Sequence, residues 1–542
     1  MVLTRTSDWM GAHPVSLLSL PRLLGLLGLA GLVLTPAVAA APPAAGPATM
    51  VQLTKSAACT ESVALDLAGA REIDARLRLW RLEPALAASA VPALRARHAL
   101  VFAQKERTYR IAATTDTPDP LQADEWWLSQ IGIAGLTAPG PGVPVTIVDS
   151  GLDIAHPEFL GRADTQALNA QEPAPFGGEH GTMVSSVIAA PVNGVGLVGI
   201  YPRAVLRSWD AAKGDGTRLE SSEISAGLLA AARAGRSVIN LSLGSDASDL
   251  SIELAVDEAV ASGSLVVAAS GNDGDRGSPL GYPAAYPHVT TVAATDRSGA
   301  VAPFSSRSRF VDLAAPGDDI IVASALGQDW RPASGTSFSS PMVAAAAAWV
   351  WTARPELTAG QVAEVLRRSA TDIAPAGRDQ SSGFGMLNVA GALALPAPIR
   401  DPFEPNDDID QADPNGDRYV SKEPALSTVT KRSARIAGRI DRYEDPRDVF
   451  RVWLPAASRF TATVTASSDA DLALYSATTR SVVGRFATDG RLGIAATKGA
   501  RERLAYTIKG KGRWAYVAVR PGAGAVDATY TLSVASGPAK SR

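Results

Sequence analysis

Between about residue 120 and residue 396, uninterrupted apolar runs alternate with stretches of helical periodicity. Val145 to Val148, Val238-Ile-Asn-Leu-Ser-Leu243, Leu265-Val-Val-Ala-Ala-Ser270 and Val289 to Ala293 lack the polar alternation of a half-exposed strand. Such runs suit strands covered on both faces of a parallel sheet. Helical segments at Ser222–Ala234 and Ser251–Ala261 separate them, so the pattern is βαβ and predicts an α/β domain built on a doubly wound parallel sheet flanked by helices. Ligands in such sheets bind beyond the carboxyl ends of the strands. Asp149, Ser242-Leu-Gly244 and Asn272 each stand where an apolar run gives way to small or turn residues, so one groove is expected to collect all three.

The flanks read differently. From 40 to 119, strand-like runs at Ala75–Leu82 and His98–Ala103 bracket a helical stretch, Pro84–Arg97, that carries Pro92; this predicts a small α+β module. From 397 to 536 an acidic opening, Asp401-Pro-Phe-Glu404-Pro-Asn406-Asp407-Asp408, precedes alternating runs at Arg459–Val464, Trp514–Val519 and Tyr530–Val534, the signature of strands with one covered face. Residues 1–39 carry Arg5 and Arg22, an apolar run Leu23–Leu34 and the small-residue stretch Ala37-Val-Ala39. They read as an export signal cleaved after Ala39 or Ala40, with Met1 and Met10 as alternative starts. The run is short for a membrane span, so a location outside the cytoplasm (extracellular, or in the periplasm or cell envelope) and no lasting membrane insertion are expected.

With 542 residues and a formal net charge of -3, the chain is long enough for several domains and announces no surface for a polyanion; a nucleic-acid partner is excluded. Its one cysteine, Cys59, allows no internal disulfide and is expected to be a small buried apolar residue.

Three islands, Asp149-Ser-Gly, His180-Gly-Thr and Gly335-Thr-Ser337, supply a carboxylate, an imidazole and a hydroxyl. A serine hydroxyl is a poor nucleophile until an imidazole takes its proton, and the imidazole needs a carboxylate to fix its tautomer. Of five histidines, His13 lies in the leader, His98 in the N-terminal module, and His156 and His288 beside prolines; His180 alone precedes Gly-Thr at a plausible helix start. Ser337 precedes a long run of small residues, so it is expected at a helix N-terminus, where free amides favour developing negative charge. Pro341 is expected in the first turn of that helix.

The segments Asp149-Ser-Gly-Leu-Asp153, His180-Gly-Thr182, Ser270-Gly-Asn272 and Gly335-Thr-Ser337-Phe-Ser339-Ser-Pro341 resemble the signature segments of the subtilisin-like serine proteases, the subtilases. Ser242-Leu-Gly244, Gly281-Tyr-Pro283, Ala315-Pro-Gly317 and Gly383-Phe-Gly385 extend the likeness over about residues 120 to 395, and the order Asp, His, Ser is subtilisin's own. The resemblance implies a serine endopeptidase needing no cofactor for its chemistry: Ser337 as nucleophile, His180 as general base and acid, Asp149 orienting it, and Asn272 with the Ser337 N–H binding the oxyanion. It also implies a substrate pocket walled by Ser242, Leu243, Gly244, Ala269, Ser270 and Gly271. Asp273, next to Asn272, is either a solvated loop carboxylate or a feature favouring basic side chains. His180-Gly-Thr-Met183-Val-Ser-Ser186 departs from the frequent His-Gly-Thr-His-Val-Ala-Gly without removing a catalytic group, and His156 matches a structural segment. A structural calcium held by Glu158 and Asn193, in Pro191-Val-Asn193-Gly-Val-Gly196, is a further implication; the bland alternative is a glycine-rich turn.

Residues 397–536 resemble the bacterial pre-peptidase C-terminal domain, a small β-sandwich, through the Glu-Pro-Asn-Asp opening, Asp448-Val-Phe-Arg-Val452, Asp471-Leu-Ala-Leu474 and the terminal Tyr-Thr-Leu. Its opening acids are either calcium ligands or a solvated linker. The chain is therefore expected to be a secreted monomeric zymogen: signal 1–39, inhibitory prodomain 40–119, peptidase 120–396 and β-sandwich 397–536, with proteins or peptides and its own prodomain as partners. Two other readings stand beside it: a non-catalytic relative that binds through its C-terminal domain, and a processing protease dedicated to one secreted protein.

Overall fold

A computed structural model describes residues 48–538 except 76, 107–118, 172–177, 214–217, 374, 421–422 and 484–487; the expected export signal and most of the C-terminal end of the expected prodomain lie outside the described residues. The chain divides into two compact units, Met1–Ala113 and Thr114–Arg542.

In the first unit, strands Arg71–Asp74, Leu79–Leu82, Thr49–Leu53 and Leu100–Lys105 form an antiparallel sheet in that order. Helices Ala58–Leu67 and Pro84–Ala96 accompany it, and Val51, Leu53, Leu65, Trp80, Leu82 and Leu94 share its core. The expected strand Ala75–Leu82 is instead the second arm of a hairpin. Asp74 Oδ1 accepts the Leu77 N–H at 2.7 Å and Arg78 takes a left-handed backbone (φ 55°), so the chain turns there. Cys59 is exposed, against expectation. The inward positions of its helix are Glu61 and Leu65, one turn apart, and Cys59 falls on the other face.

The second unit is organised around seven parallel strands in the order Val311–Pro316, Val289–Thr295, Leu265–Ala269, Val238–Leu241, Val145–Asp149, Leu206–Asp210, Thr165–Ala167. Successive residues feed two different cores. Val145, Ile147, Val238, Leu265 and Val267 pack with helices Glu179–Ala189 and Thr336–Ala353 on one face. Val148, Ile239, Leu241, Val266 and Ala268 pack with Ser221–Arg233 and Leu250–Ala261 on the other. That double burial is why these strands read as continuous apolar runs. From the strand Val145–Asp149 the chain goes to the edge strand Thr165–Ala167, returns to Leu206–Asp210 and then crosses to Val238–Leu241, from which it runs outward to the other edge; the ends of Val145–Asp149 and of its neighbour Val238–Leu241 therefore flank a topological switch point.

Beyond residue 400, strands Ser433–Asp441, Asp527–Pro538, Ser458–Ala466 and Arg501–Thr507 make one antiparallel sheet, and Asp448–Leu454, Arg513–Pro521, Ala470–Ser476 and Arg491–Ala495 a second. Alternate residues of both, among them Phe460, Val464, Leu532, Phe450, Leu472 and Val517, meet in one core. Among the described residues no helix is long and apolar enough to cross a membrane.

Candidate active site

Asp149 is the last residue of its strand and is buried. Its backbone continues through Ser150, whose carbonyl accepts the Gly178 N–H at 2.6 Å and whose hydroxyl accepts the Gly181 N–H at 3.1 Å. These bonds fasten the first turn of helix Glu179–Ala189 to the strand end. Gly181 must lack a side chain, since a Cβ there would come within 1.9 Å of the Gly151 carbonyl oxygen. The approach places His180 Nδ1 at 2.8 and 3.0 Å from the two Asp149 carboxylate oxygens. Asp149 Oδ1 also accepts the Ser150 N–H at 2.7 Å, which holds the carboxylate plane. Burial opposes charging of His180, but the charge and hydrogen bond of Asp149 outweigh it and raise its pKa above the ordinary histidine value. Glu179, one residue earlier, accepts from Ser324 Oγ (3.0 Å), the Leu326 N–H (2.8 Å) and Arg331 (2.6 Å), tying the same turn to the hairpin Ile320–Ser324/Asp329–Ala333.

Ser337 is the second residue of helix Thr336–Ala353, as expected, and the His180 and Phe338 rings lie 6.2 Å apart. The Ser337 hydroxyl points to the Ser242 carbonyl at 3.4 Å and makes no hydrogen bond to His180 among the described residues; such bonds are often loose before substrate arrives. Pro341 is not in the first turn. It is the sixth residue of the helix and lacks the N–H that the Ser337 carbonyl would otherwise receive. Ser242 Oγ supplies the missing donor at 2.9 Å. Behind it, Asn240 Nδ2 donates to Ser242 Oγ at 2.9 Å and Asn240 Oδ1 accepts from Ser340 Oγ at 2.8 Å. Sequence reasoning gave Ser242 only a pocket-wall role and missed Asn240. The available signal was a polar residue inside the buried strand Val238-Ile-Asn-Leu241.

Asn272 Oδ1 accepts both the N–H and the hydroxyl of Thr336, each at 2.9 Å. That orientation leaves Nδ2 as a free donor beside Gly335, where a Cβ would come within 3.3 Å of it. The Ser337 N–H, at the start of an 18-residue helix, has no partner among the described residues either. Two aimed, unspent donors at a helix N-terminus are what a developing oxyanion needs.

Ser337 and Asn272 open onto a cleft of about 530 Å³ whose lining includes all six expected wall residues, Ser242, Leu243, Gly244, Ala269, Ser270 and Gly271. Asp273 also lines it but is paired with Arg276 at 3.2 Å, which offsets its charge. His156 is fully buried, with Nδ1 accepting the Glu158 N–H at 3.0 Å and Nε2 on the Asp329 carbonyl at 3.2 Å.

Glu158 and Asn193 are brought together: Asn193 Nδ2 donates to the Glu158 carbonyl at 3.3 Å. Five backbone N–H groups of the 193–198 loop point at acids. Those of Asn193, Gly194 and Val195 reach Asp119, that of Leu197 reaches Glu158, and that of Val198 reaches Glu125. Asn193 Oδ1 is taken by the Val195 N–H at 2.9 Å. Two buried oxygens, Glu158 Oε1 and Asp119 Oδ2, have no partner among the described residues, and burial pushes the pKa of Glu158 up to about 8 and that of Glu125 up to about 9.

Comparison with known proteins agrees with this geometry. Residues 140–385 match the model of the Subtilase family. Subtilisin E of Bacillus subtilis (strain 168) is 35% identical over 273 residues, 48% of this chain and 70% of that protein. Subtilisin of Bacillus pumilus is 34% identical over 273 residues, 48% of this chain and 97% of its own. The solved structure of an S41 psychrophilic protease is 28% identical, covering 51% of this chain and all of that one with a TM-score of 0.44. A triad-like cluster at the switch point of a parallel sheet, joined to identity of this extent, places the chain in the subtilase family of serine endopeptidases.

Proposed function

We propose that the protein is made as a secreted precursor and hydrolyses peptide bonds in proteins or peptides with Ser337 as nucleophile, His180 as base and acid, and Asp149 as its orienting carboxylate. The observation that carries this reading is the Asp149–His180 pair set in the same unit as a helix-start serine whose own N–H and the Asn272 amide are both unspent. On substrate binding, Ser337 Oγ rotates from the Ser242 carbonyl toward His180 Nε2 and attacks the scissile carbonyl. His180 takes the proton and returns it to the leaving amine, and the oxyanion forms between the Ser337 N–H and Asn272 Nδ2. The small walls around Ser242–Gly244 and Ala269–Gly271 admit a broad range of side chains before the scissile bond, and the Asp273–Arg276 pair argues against a basic preference.

The first unit is read as an inhibitory prodomain and residues 397–536 as a β-sandwich of pre-peptidase C-terminal type. Leader residues 1–39 support export, and no cofactor takes part in the chemistry. A structural calcium fits Glu158 and Asp119, whose orphaned buried oxygens are hard ligands. Asn193 would join them only through the second lone pair of Oδ1, the first being taken by the Val195 N–H. A melting temperature unmoved by chelator removes that site.

Labelling of the processed protein by a fluorophosphonate tests the chemistry. Wild type is expected to label at Ser337 and Ser337→Ala not at all; an unlabelled wild type returns the protein to the non-catalytic, binding reading. Cleavage of a random peptide library separates a broad protease from one dedicated to a single partner.

A further inference from the structure

Three places in the peptidase portion carry ionic groups that are completed by residues beyond 400, two of them buried and the third half-buried. Arg367, in helix Ala359–Ser369, is 2% exposed and pairs on its own side with Asp312 at 3.3 Å and Glu364 at 3.4 Å. Its two terminal nitrogens then grip Glu444, one of them at 2.8 Å, from the turn that joins strands Ser433–Asp441 and Asp448–Leu454. Arg439 of the first of these strands reaches back to Glu364 at 3.4 Å and to Glu444 at 3.1 Å. His288 donates its backbone N–H to the Glu444 carbonyl at 2.9 Å and sets Nε2 at 2.8 Å from Asp407 and 3.2 Å from Glu404. On helix Leu250–Ala261, Glu253 and Asp257 receive Arg418 at 2.9 and 2.5 Å. Tyr443 adds an aromatic plug, edge-on to Phe310 with ring centres 6.1 Å apart and covered by the guanidinium of Arg378 at 5.1 Å.

A module hung on a tether makes few, wet, exchangeable contacts with its neighbour, and relative motion is then the rule. Here the Arg367, Arg439 and His288 contacts are buried and share partners, and the half-buried Arg418 pair adds a third point of attachment. The stretch from Thr114 to the C-terminus accordingly forms one compact unit. Buried pairs need not stabilise a fold relative to apolar residues, but removing one partner strands the other charge at a large cost. The opening acids, read from sequence as calcium ligands or a solvated linker, do not form a solvated linker: Asp407 and Asp408 are buried and Asp401 and Glu404 half-buried.

We propose that the C-terminal sheets are a built-in structural partner of the peptidase, retained in the mature enzyme, and that the Arg367–Glu444–Arg439 and His288–Asp407 contacts form the interface that keeps them there. This goes beyond the catalytic reading and does not depend on it.

The test uses the full chain carrying Ser337→Ala, with the recognition sequence of a site-specific protease inserted within the mostly exposed residues 396–400. After cutting, the halves are expected to co-elute as one particle at micromolar concentration and to melt together. Glu444→Arg should weaken their association at least tenfold and lower the melting temperature, with Glu444→Gln falling between. Halves that separate at once, with the N-terminal piece keeping the melting temperature of the whole, overturn the proposal. So does an active secreted wild-type form whose intact mass shows that it ends near residue 396. Full activity with the tail attached and co-eluting halves uphold it.

Discussion

Among the described residues, two histidine–carboxylate pairs are built from the same chemistry and set in different surroundings. His180 pairs with Asp149 at 2.8 Å with a side chain 38% exposed. His288 pairs with Asp407 at the same 2.8 Å, but its side chain is only 8% exposed and a second carboxylate, Glu404, stands at 3.2 Å. Both imidazoles are raised in pKa. In each, burial opposes the charge and the partner carboxylates overcome it, carrying His288 up to about 9. A charge-stabilised histidine is therefore not in itself a catalytic one. What sets His180 apart is an open ring edge, a helix-start serine close by, and two unspent N–H donors where an oxyanion would form.

That contrast can be broken from either end. Ser337→Ala should lower kcat by about a millionfold, a loss measured on subtilisin, a relative, while thermal midpoints under inhibitor stay within about a degree. Asp149→Asn should cost about 10⁴-fold in kcat, as the wrong tautomer does in a serine protease triad. Because Asp149 raises the pKa of His180 and the base must be neutral, the acid limb of the wild-type kcat/KM profile lies above the ordinary histidine range. In the variant it moves down. If Asp407→Asn lowers kcat as much as Asp149→Asn does, the proposed division between the two pairs fails. Asn272→Ala should lower kcat by about a hundred- to a thousandfold with KM little changed, a range again established on subtilisin.

At the other pair the readout is stability. His288→Gln should leave kcat unchanged at moderate temperature and destabilise the second unit by about 3–5 kcal/mol in chemical denaturation. The folded-state pKa of His288 lies above the unfolded value near 6.5. Its contribution is therefore full below about 6.5 and fades as pH rises through about 9. The variant should flatten that decline; an unchanged slope would mean that other groups carry it. The smallest effect is expected from Ser242→Ala, which leaves the Ser337 carbonyl without its donor and should cost about 1–3 kcal/mol, together with a modest fall in kcat.

Which parts of this were legible in the sequence follows from the kind of force that sets them. The sheet was readable because double burial demands apolar residues at consecutive positions, as in Val145–Val148 and Leu265–Ala269. The positions of Asp149, His180, Ser337 and Asn272, at a strand end, in a helix's first turn, at a helix start and beside it, were readable because each proposed role needs a specific functional group next to a glycine or a helix start. His288 was not readable. Its partners are more than a hundred residues away, and nothing in Tyr-Pro-His-Val distinguishes a buried ion-pair member from a loop histidine. The Asp74 turn was hidden for a similar reason: one side-chain-to-backbone bond cut short a run that looked like a single strand. Pro341 misled because the rule confining proline to a first turn assumes that no other donor is at hand.

That exception has a kinetic consequence. With a proline four residues on, the Ser337 carbonyl loses its usual helical N–H partner and accepts instead from the Ser242 hydroxyl, one residue past the end of a neighbouring strand. The reactive residue is thus registered against the sheet and only weakly against its own helix. As the protein is warmed, slippage at this one latch can silence the enzyme while the surrounding core remains intact, so loss of turnover should set in some degrees below the loss of tertiary signal.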